Sequence, residues 1–157
     1  MNPQGEKVVF DCMIFVQALL SPGGPAGSCL SLCEASNVRL ICSRTTLAEV
    51  RRIIDRPNIR KRRPQLTDTV IRNFIIRILQ VVEISAEPQR RFPYPRDPDD
   101  EPYLNLAIAE NADYLVSRDN DLLDLAKPDN SDGLRLRQEA PNLRIVDPIE
   151  FLRDHSS

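Results

Sequence analysis

Residues 114–125 read YLVSRDNDLLDL. A short apolar run, Tyr114-Leu115-Val116, breaks off into Ser117 and Arg118, and Asp119 and Asp121 follow two residues apart. A run this brief, bounded by polar residues, reads as a strand buried within a sheet. The acids at its end admit two explanations. Asp119 caps a helix beginning at Leu122, or the pair belongs to a site for a hard cation.

The same pattern recurs along the chain. Lys7-Val8-Val9-Phe10 ends at Asp11, and further strands are expected at 39–42 (RLIC), 81–84 (VVEI) and 143–146 (LRIV). Between them lie helix candidates. One covers 13–20 and is stopped by SPGGPAG at 21–27, and another covers 28–35. A third runs from a Ser43 or Thr45 cap to about Asp55. Residues 67–80 place Val70, Phe74, Ile75, Ile78 and Leu79 at helical spacing. Residues 103–111 form one more candidate, and Asp147-Pro148-Ile149-Glu150 reads as the capped start of a closing helix. The basic segment 56–64, the proline-rich 87–102 and the polar 127–142 read as connections. Five short strands alternating with helices imply βα units and a parallel sheet covered on both faces. Ligands of such sheets gather at the carboxyl ends of the strands. Asp11, Asp119 and Asp121 fall at that edge.

The 157 residues, 41% hydrophobic and 28% charged, are expected to form one domain over 1–157 with a core that needs no staples. No apolar run approaches the ~20 residues of a membrane span, and no signal-peptide pattern precedes Lys7, so a cytoplasmic protein without membrane contact is expected. Four irregularly placed cysteines (12, 29, 33, 42) fit buried free thiols better than a zinc site. The single histidine, His155, lies in the tail, which argues against Ser–His and Cys–His catalysis. Carboxylates are left to carry the chemistry. Net charge is only −2, but nine Lys/Arg stand against three acids between Glu49 and Gln80, and eleven acids stand against Arg118 and Lys127 between Asp97 and Asp132. Basic stretches suit phosphates and acidic clusters suit divalent cations.

Beyond Asp11, Asp119 and Asp121, the candidate acids are Glu49, Asp97, Asp100 and Glu101. Glu49 sits early in the helix after the second strand. Asp100 and Glu101 open the helix before the fourth, whose start should return to the same edge. Each has a plainer role available: Asp119 as a helix cap, Asp100 and Glu101 as helix-start acids, Glu49 as a surface residue. Asp11, between KVVF and CMIF, has the least plain explanation. Together the acids would repel one another without a cation, and Mg²⁺ or Mn²⁺ would remove that cost.

VVFDCMIFVQALLSPGGPAG, ICSRTTLAEVRRIIDRP, RDPDDEPYLNLAIAENADYLVSRDNDLL and LRIVDPIEFL, in this order and spacing, resemble the PIN-domain family, in particular its prokaryotic VapC-like branch of toxin–antitoxin toxins. The resemblance runs from Val8 to about Ile149. It implies a three-layer α/β/α sandwich around a mainly parallel five-stranded sheet and Mg²⁺- or Mn²⁺-dependent ribonuclease activity. Asp11, Glu49, Asp100 and Asp119 take the four-acid core, and Asp121 is an additional metal acid. Glu101 competes with Asp100 for the third place, Asp97 neighbours the site, and Ser117 supports it. Arg60, Lys61, Arg62, Arg63 and Arg118 are candidates for RNA phosphate contacts. An antitoxin partner and a homodimer are further implications. One departure is plain: Asp11-Cys12-Met13 stands where the family reads Asp-x-Asn.

Two other functions fit the residues. In one, Met13 marks a catalytically weak, partner-binding module on the same scaffold. In the other, Asp11 is the phosphoacceptor of an α/β phosphatase, although Met13 fills the place where such an enzyme needs a second Asp.

Overall fold

The computed structural model describes residues 5–156, which include every candidate site residue. In chain order the elements are β1 (Lys7–Phe10), α1 (Cys12–Leu20), α2 (Pro25–Ala35), β2 (Arg39–Cys42), α3 (Arg44–Ile54), α4 (Pro57–Lys61), α5 (Asp68–Val81), β3 (Glu83–Ile84), α6 (Glu101–Ala109), β4 (Tyr114–Val116), α7 (Asn120–Leu123), α8 (Ser131–Glu139), β5 (Arg144–Val146) and α9 (Pro148–Asp154). The strands form one sheet in the order β3-β2-β1-β4-β5, and every neighbouring pair is parallel. The expected α/β/α architecture is present.

Alternation along the strands explains why the sheet is covered twice. Val8 and Phe10 of β1, Leu40 and Cys42 of β2, and Tyr114 and Val116 of β4 face a core built with α1, α2, α3, α5 and α9. Val9, Ile41, Leu115 and Ile145 face a second core with α6, Phe92, Tyr94, Leu122 and Leu136. Successive side chains of a strand point to opposite faces, so unbroken apolar runs require both faces to be buried.

Boundaries differ from the sequence expectation at several elements; α2, for one, starts at Pro25, inside the stretch expected only to stop α1. Val81 closes α5 instead of opening a strand, because it continues the helical face of Ile71, Phe74 and Ile78; Val82 N still donates to the Ile78 carbonyl at 2.9 Å. Only Glu83 and Ile84 remain for β3, pairing with Ile41 and Cys42. Residues 57–61, expected as a connection, make the short helix α4 with proline in its first turn. The stretch 127–142 contains α8, capped where Asn130 accepts from Gly133 N at 2.8 Å. Its only buried large side chain is Leu136, so it carries no apolar period to read.

The strand ends position the site. Asp11, Ser43, Asp119 and Asp147 each follow the carboxyl end of a strand and cap the helix behind it. Opposite them α6 runs back along β4. It starts with Pro102 in its first turn and ends at Ala109, and just past its Glu110 cap Asn111 takes φ 51° in the left-handed region that Asn tolerates. Ala112 N then closes the turn on the Ala107 carbonyl at 2.9 Å. The start of α6 therefore meets the carboxyl edge of β1 and β4.

Candidate metal centre

Asp11 is buried at the end of β1. Its backbone N–H extends the ladder to Val116 O at 3.1 Å. Its carboxylate accepts from Ile14 N at 3.2 Å and from the Ser117 hydroxyl. Ser117 also accepts from Asp119 N at 2.9 Å, so one buried hydroxyl ties the β1 acid to the β4 acid. Neither support for Asp11 comes from the Met13 side chain, which is 41% exposed at the rim of the cleft. Asp11 is fixed instead by Ser117 and by the start of α1.

Asp119 accepts from Asp121 N at 2.9 Å, the capping role in full. That does not remove it from a site. One carboxylate oxygen each from Asp97, Asp100, Asp119 and Asp121 lies within 4.8 Å of the others. Asp97 and Asp100 arrive on a single 3-10 turn, Pro98–Asp100, in which Asp97 accepts from Asp99 N at 3.1 Å. Asp121 is half-exposed and shared with Arg96, whose Nε donates to it at 2.7 Å while its NH2 reaches Asp124 at 2.9 Å.

Electrostatics mark the buried members. Burial pushes the Asp100 carboxyl up to about 8, with the charges of Asp97, Asp119 and Asp11 adding to it. Burial raises Asp11 to about 6; the bonds from Ser117 and Ile14 oppose the shift, and Asp119 reinforces it. Asp97 is raised as well, chiefly by burial. One oxygen of Asp100 is buried without a hydrogen-bond partner. Unpartnered buried carboxylate oxygens beside like charges are what a cation would satisfy, so the residues present fit a hard divalent ion.

Asp11, Glu49, Asp97, Asp100, Arg118 and Asp119 all line one cleft of about 430 Å³. Asp121 adjoins it through the acid cluster. Glu49 lines the cleft without joining the four convergent oxygens, and it is ion-paired to Arg52. Asp11 lies beside the four convergent oxygens rather than among them.

Glu101 is not brought there. Its carboxylate takes Arg90 Nε at 2.7 Å, Arg90 NH2 at 3.0 Å and Tyr94 N at 2.7 Å. The Arg90 hydrogen bond, followed by that of Tyr94 N, holds it down at about 2. Of the two acids that compete in the sequence, Asp100 faces the cluster and Glu101 anchors the proline-rich loop.

The basic candidates divide too. Arg60 is ion-paired to Asp68, and Lys61 and Arg62 line neither the acid cleft nor its neighbour. Arg63 reaches a cleft beside the acids, and Arg118 lines both. Residues that sequence reasoning did not single out also line the acid cleft, among them Arg56, Gln17, Asp99 and Tyr103. Arg56 was hidden within a uniformly basic segment. Tyr103 shares a helical face with Asp100 and reads as core. Its hydroxyl is buried and unpartnered, with the weakly bonding Cys12 thiol for company.

Against known proteins, a family model described as the PIN domain matches residues 7–121. The chain is 28% identical over 151 residues to the uncharacterized protein MJ1680 of Methanocaldococcus jannaschii, covering 94% of this chain and 90% of that one. In structure it is similar to VapBC2 from Rickettsia felis bound to a DNA fragment from its promoter, with TM-score 0.53 and 18% identity over 90% of this chain and 98% of that one. It is also similar to PAE2754 from Pyrobaculum aerophilum, with TM-score 0.55 and 12% identity over 96% and 89%.

Proposed function

The chain belongs to the PIN domain family, and from that premise we propose that it is a divalent-metal-dependent ribonuclease, the toxin of a toxin–antitoxin pair. The observation that carries the reading is the convergence of four aspartates, one with an unpartnered buried oxygen, in a cleft edged by arginines. Asp97, Asp100, Asp119 and Asp121 would hold Mg²⁺ or Mn²⁺, with Asp11 against them. When bound, the ion supplies a water of lowered pKa and neutralises charge growing on the phosphate.

The chain's own residues do the remainder. Ser117 fixes Asp11 and Asp119 relative to one another. Glu49, which lines the same cleft, would orient or deprotonate the attacking water. Arg56 and Arg118 bring positive charge to the substrate phosphate. The antitoxin and homodimer readings rest on family likeness; the Rickettsia felis structure is of a VapBC2 complex.

The test is cleavage of a mixed pool of structured and single-stranded RNAs with Mn²⁺, Mg²⁺ or EDTA, using the wild type, Asp11→Asn and Asp119→Asn. Cleavage that needs metal and disappears in both variants is expected. Absence of cleavage, with Mn²⁺ still raising the wild-type melting temperature, would leave a metal-binding partner module instead of a nuclease.

A further inference from the structure

Among the described residues, nine arginines are paired with carboxylates. Arg63 and Arg118 are not, yet both line a cleft of about 260 Å³ adjoining the acids. Arg63 comes from the connection after α4, and Arg118 from the turn between β4 and Asp119. The facing wall is the α1–α2 turn, Ser21 and Gly24, with Pro25 and Ala26 opening α2. Gln17 and Arg118 line this cleft and the acid cleft alike, so one continues into the other. Gln17's amide oxygen is buried there without a partner. As an acceptor it needs a donor, which a ribose hydroxyl beside a phosphate offers and the phosphate oxygens themselves do not.

We propose that this cleft is a phosphate subsite. It seats the phosphodiester next to the cleaved one, on one side of the substrate only, with Arg63 and Arg118 donating to its oxygens. Arginine is suited to the task, since its planar fork matches phosphate geometry. The space is smaller than the roughly 300–1,000 Å³ of a pocket that encloses a whole small molecule, which fits a phosphate and part of its sugar. The other continuation from the acids, past Glu49, Asp99 and Tyr103, has its arginine Arg52 already paired with Glu49. Of these two clefts, among the described residues, the one beside Arg63 and Arg118 is lined by arginines without an ion pair. A polyanion that meets a cation at one phosphate and arginines at the next suits this arrangement. An acidic peptide in the same cleft would press its remaining carboxylates against the aspartates. The proposal rests on the nuclease reading for the position of the cleaved bond.

The test uses the full chain with Mn²⁺ and a short single-stranded RNA whose cleavage point has been mapped. Cleavage is followed in the wild type, and binding by fluorescence anisotropy in the Asp11→Asn background. Arg63→Gln is expected to weaken binding about tenfold and to raise KM with kcat unchanged, whereas Arg118→Gln, which also lines the acid cleft, should weaken binding likewise and lower kcat as well. Arg153→Gln, at the far end of α9, is the control. Neutralising phosphates one at a time as methylphosphonates locates the contact. At one position beside the cleaved bond the change should weaken the wild type and leave the Arg63→Gln/Arg118→Gln double variant no weaker.

Losses that add at every position would overturn the subsite and leave a diffuse field. RNA binding unchanged in both variants, with loss of an oligoglutamate peptide, would overturn it in favour of an acidic partner. If no cleavage occurs but the coupling to one phosphate persists, the nuclease reading falls, and with it the position next to a cleaved bond, while a phosphate site at Arg63 and Arg118 stands. If RNA is neither bound nor cut, both fall.

Discussion

Asp100 carries the clearest signature of a site built at the expense of stability. In an unfolded chain an Asp titrates near 4; in this fold Asp100 titrates at about 8. Below pH ~4 both states hold the proton and the difference vanishes. As pH rises from about 4 to about 8 the unfolded chain releases its proton first, so the metal-free fold loses stability across that window and levels off above it. Asp11, raised to about 6, adds to the loss in its lower half. Asp100→Asn is therefore expected to raise the melting temperature of the metal-free protein at pH 8 and to have far less effect at pH 4. A cation must displace the Asp100 proton to bind, so the rise in melting temperature caused by Mn²⁺ should grow from pH 6 to pH 8. Thermal unfolding over that range, with Mn²⁺ or EDTA, checks both. A Mn²⁺ effect that does not change with pH would take Asp100 out of the cation site. Glu101→Gln provides the contrast: Mn²⁺ binding is expected to survive it, because Glu101 faces Arg90 and Tyr94.

The proline-rich loop reaches the acids only because α6 holds it. Asn105, buried in α6, accepts from Arg91 N and Phe92 N at 2.7 Å each and donates to the carbonyls of Phe92 at 3.2 Å and Glu101 at 2.9 Å. Phe92 and Tyr94 fill the second core, and Arg135 stacks over Phe92 at 3.9 Å. Asn105→Ala strands the buried Phe92 N–H and takes the acceptor from the part-buried Arg91 N–H, at a cost of about 2–4 kcal/mol, measurable by urea unfolding. The same variant should weaken Mn²⁺ binding, since Asp97 and Asp100 ride on the loop; unchanged Mn²⁺ affinity would show that the loop holds its shape without the staple. A tighter constraint operates at Gly27, where an added Cβ would lie 2.1 Å from the Pro22 carbonyl oxygen. Gly27→Ala is expected to displace the α1–α2 turn and lower stability.

At the scale of the molecule, charge is segregated more than it is abundant. Net charge is −2, so RNA attraction has to come from local cations, and half of the eighteen arginines are spent on carboxylates. Arg56, Arg63 and Arg118 remain around the connected clefts. Three phosphate contacts to a single strand give a slope of about −2 for log affinity against log salt. A titration between 50 and 300 mM KCl checks this; a much steeper slope would bring Arg60, Lys61 and Arg62 back into the interface.

What the amino-acid sequence determined by itself was whatever depends on local periodicity and punctuation. Unbroken apolar runs ending in Asp or Ser marked strands of a doubly covered parallel sheet, and Asp147-Pro148 marked the start of α9, because burial on both faces and helix capping are read from adjacent residues. It could also place Asp11, Asp100 and Asp119 at one sheet edge, since parallel connectivity sends every strand's end the same way. Only the tertiary structure decided which of the adjacent Asp100 and Glu101 faces that edge. Their side chains diverge by the rotation of a single residue, and Arg90, near in space but eleven residues away in the chain, captures Glu101. The same holds for the arginines. Whether a guanidinium is free or already neutralised depends on which carboxylate the fold brings within reach, and neither composition nor spacing records that distance.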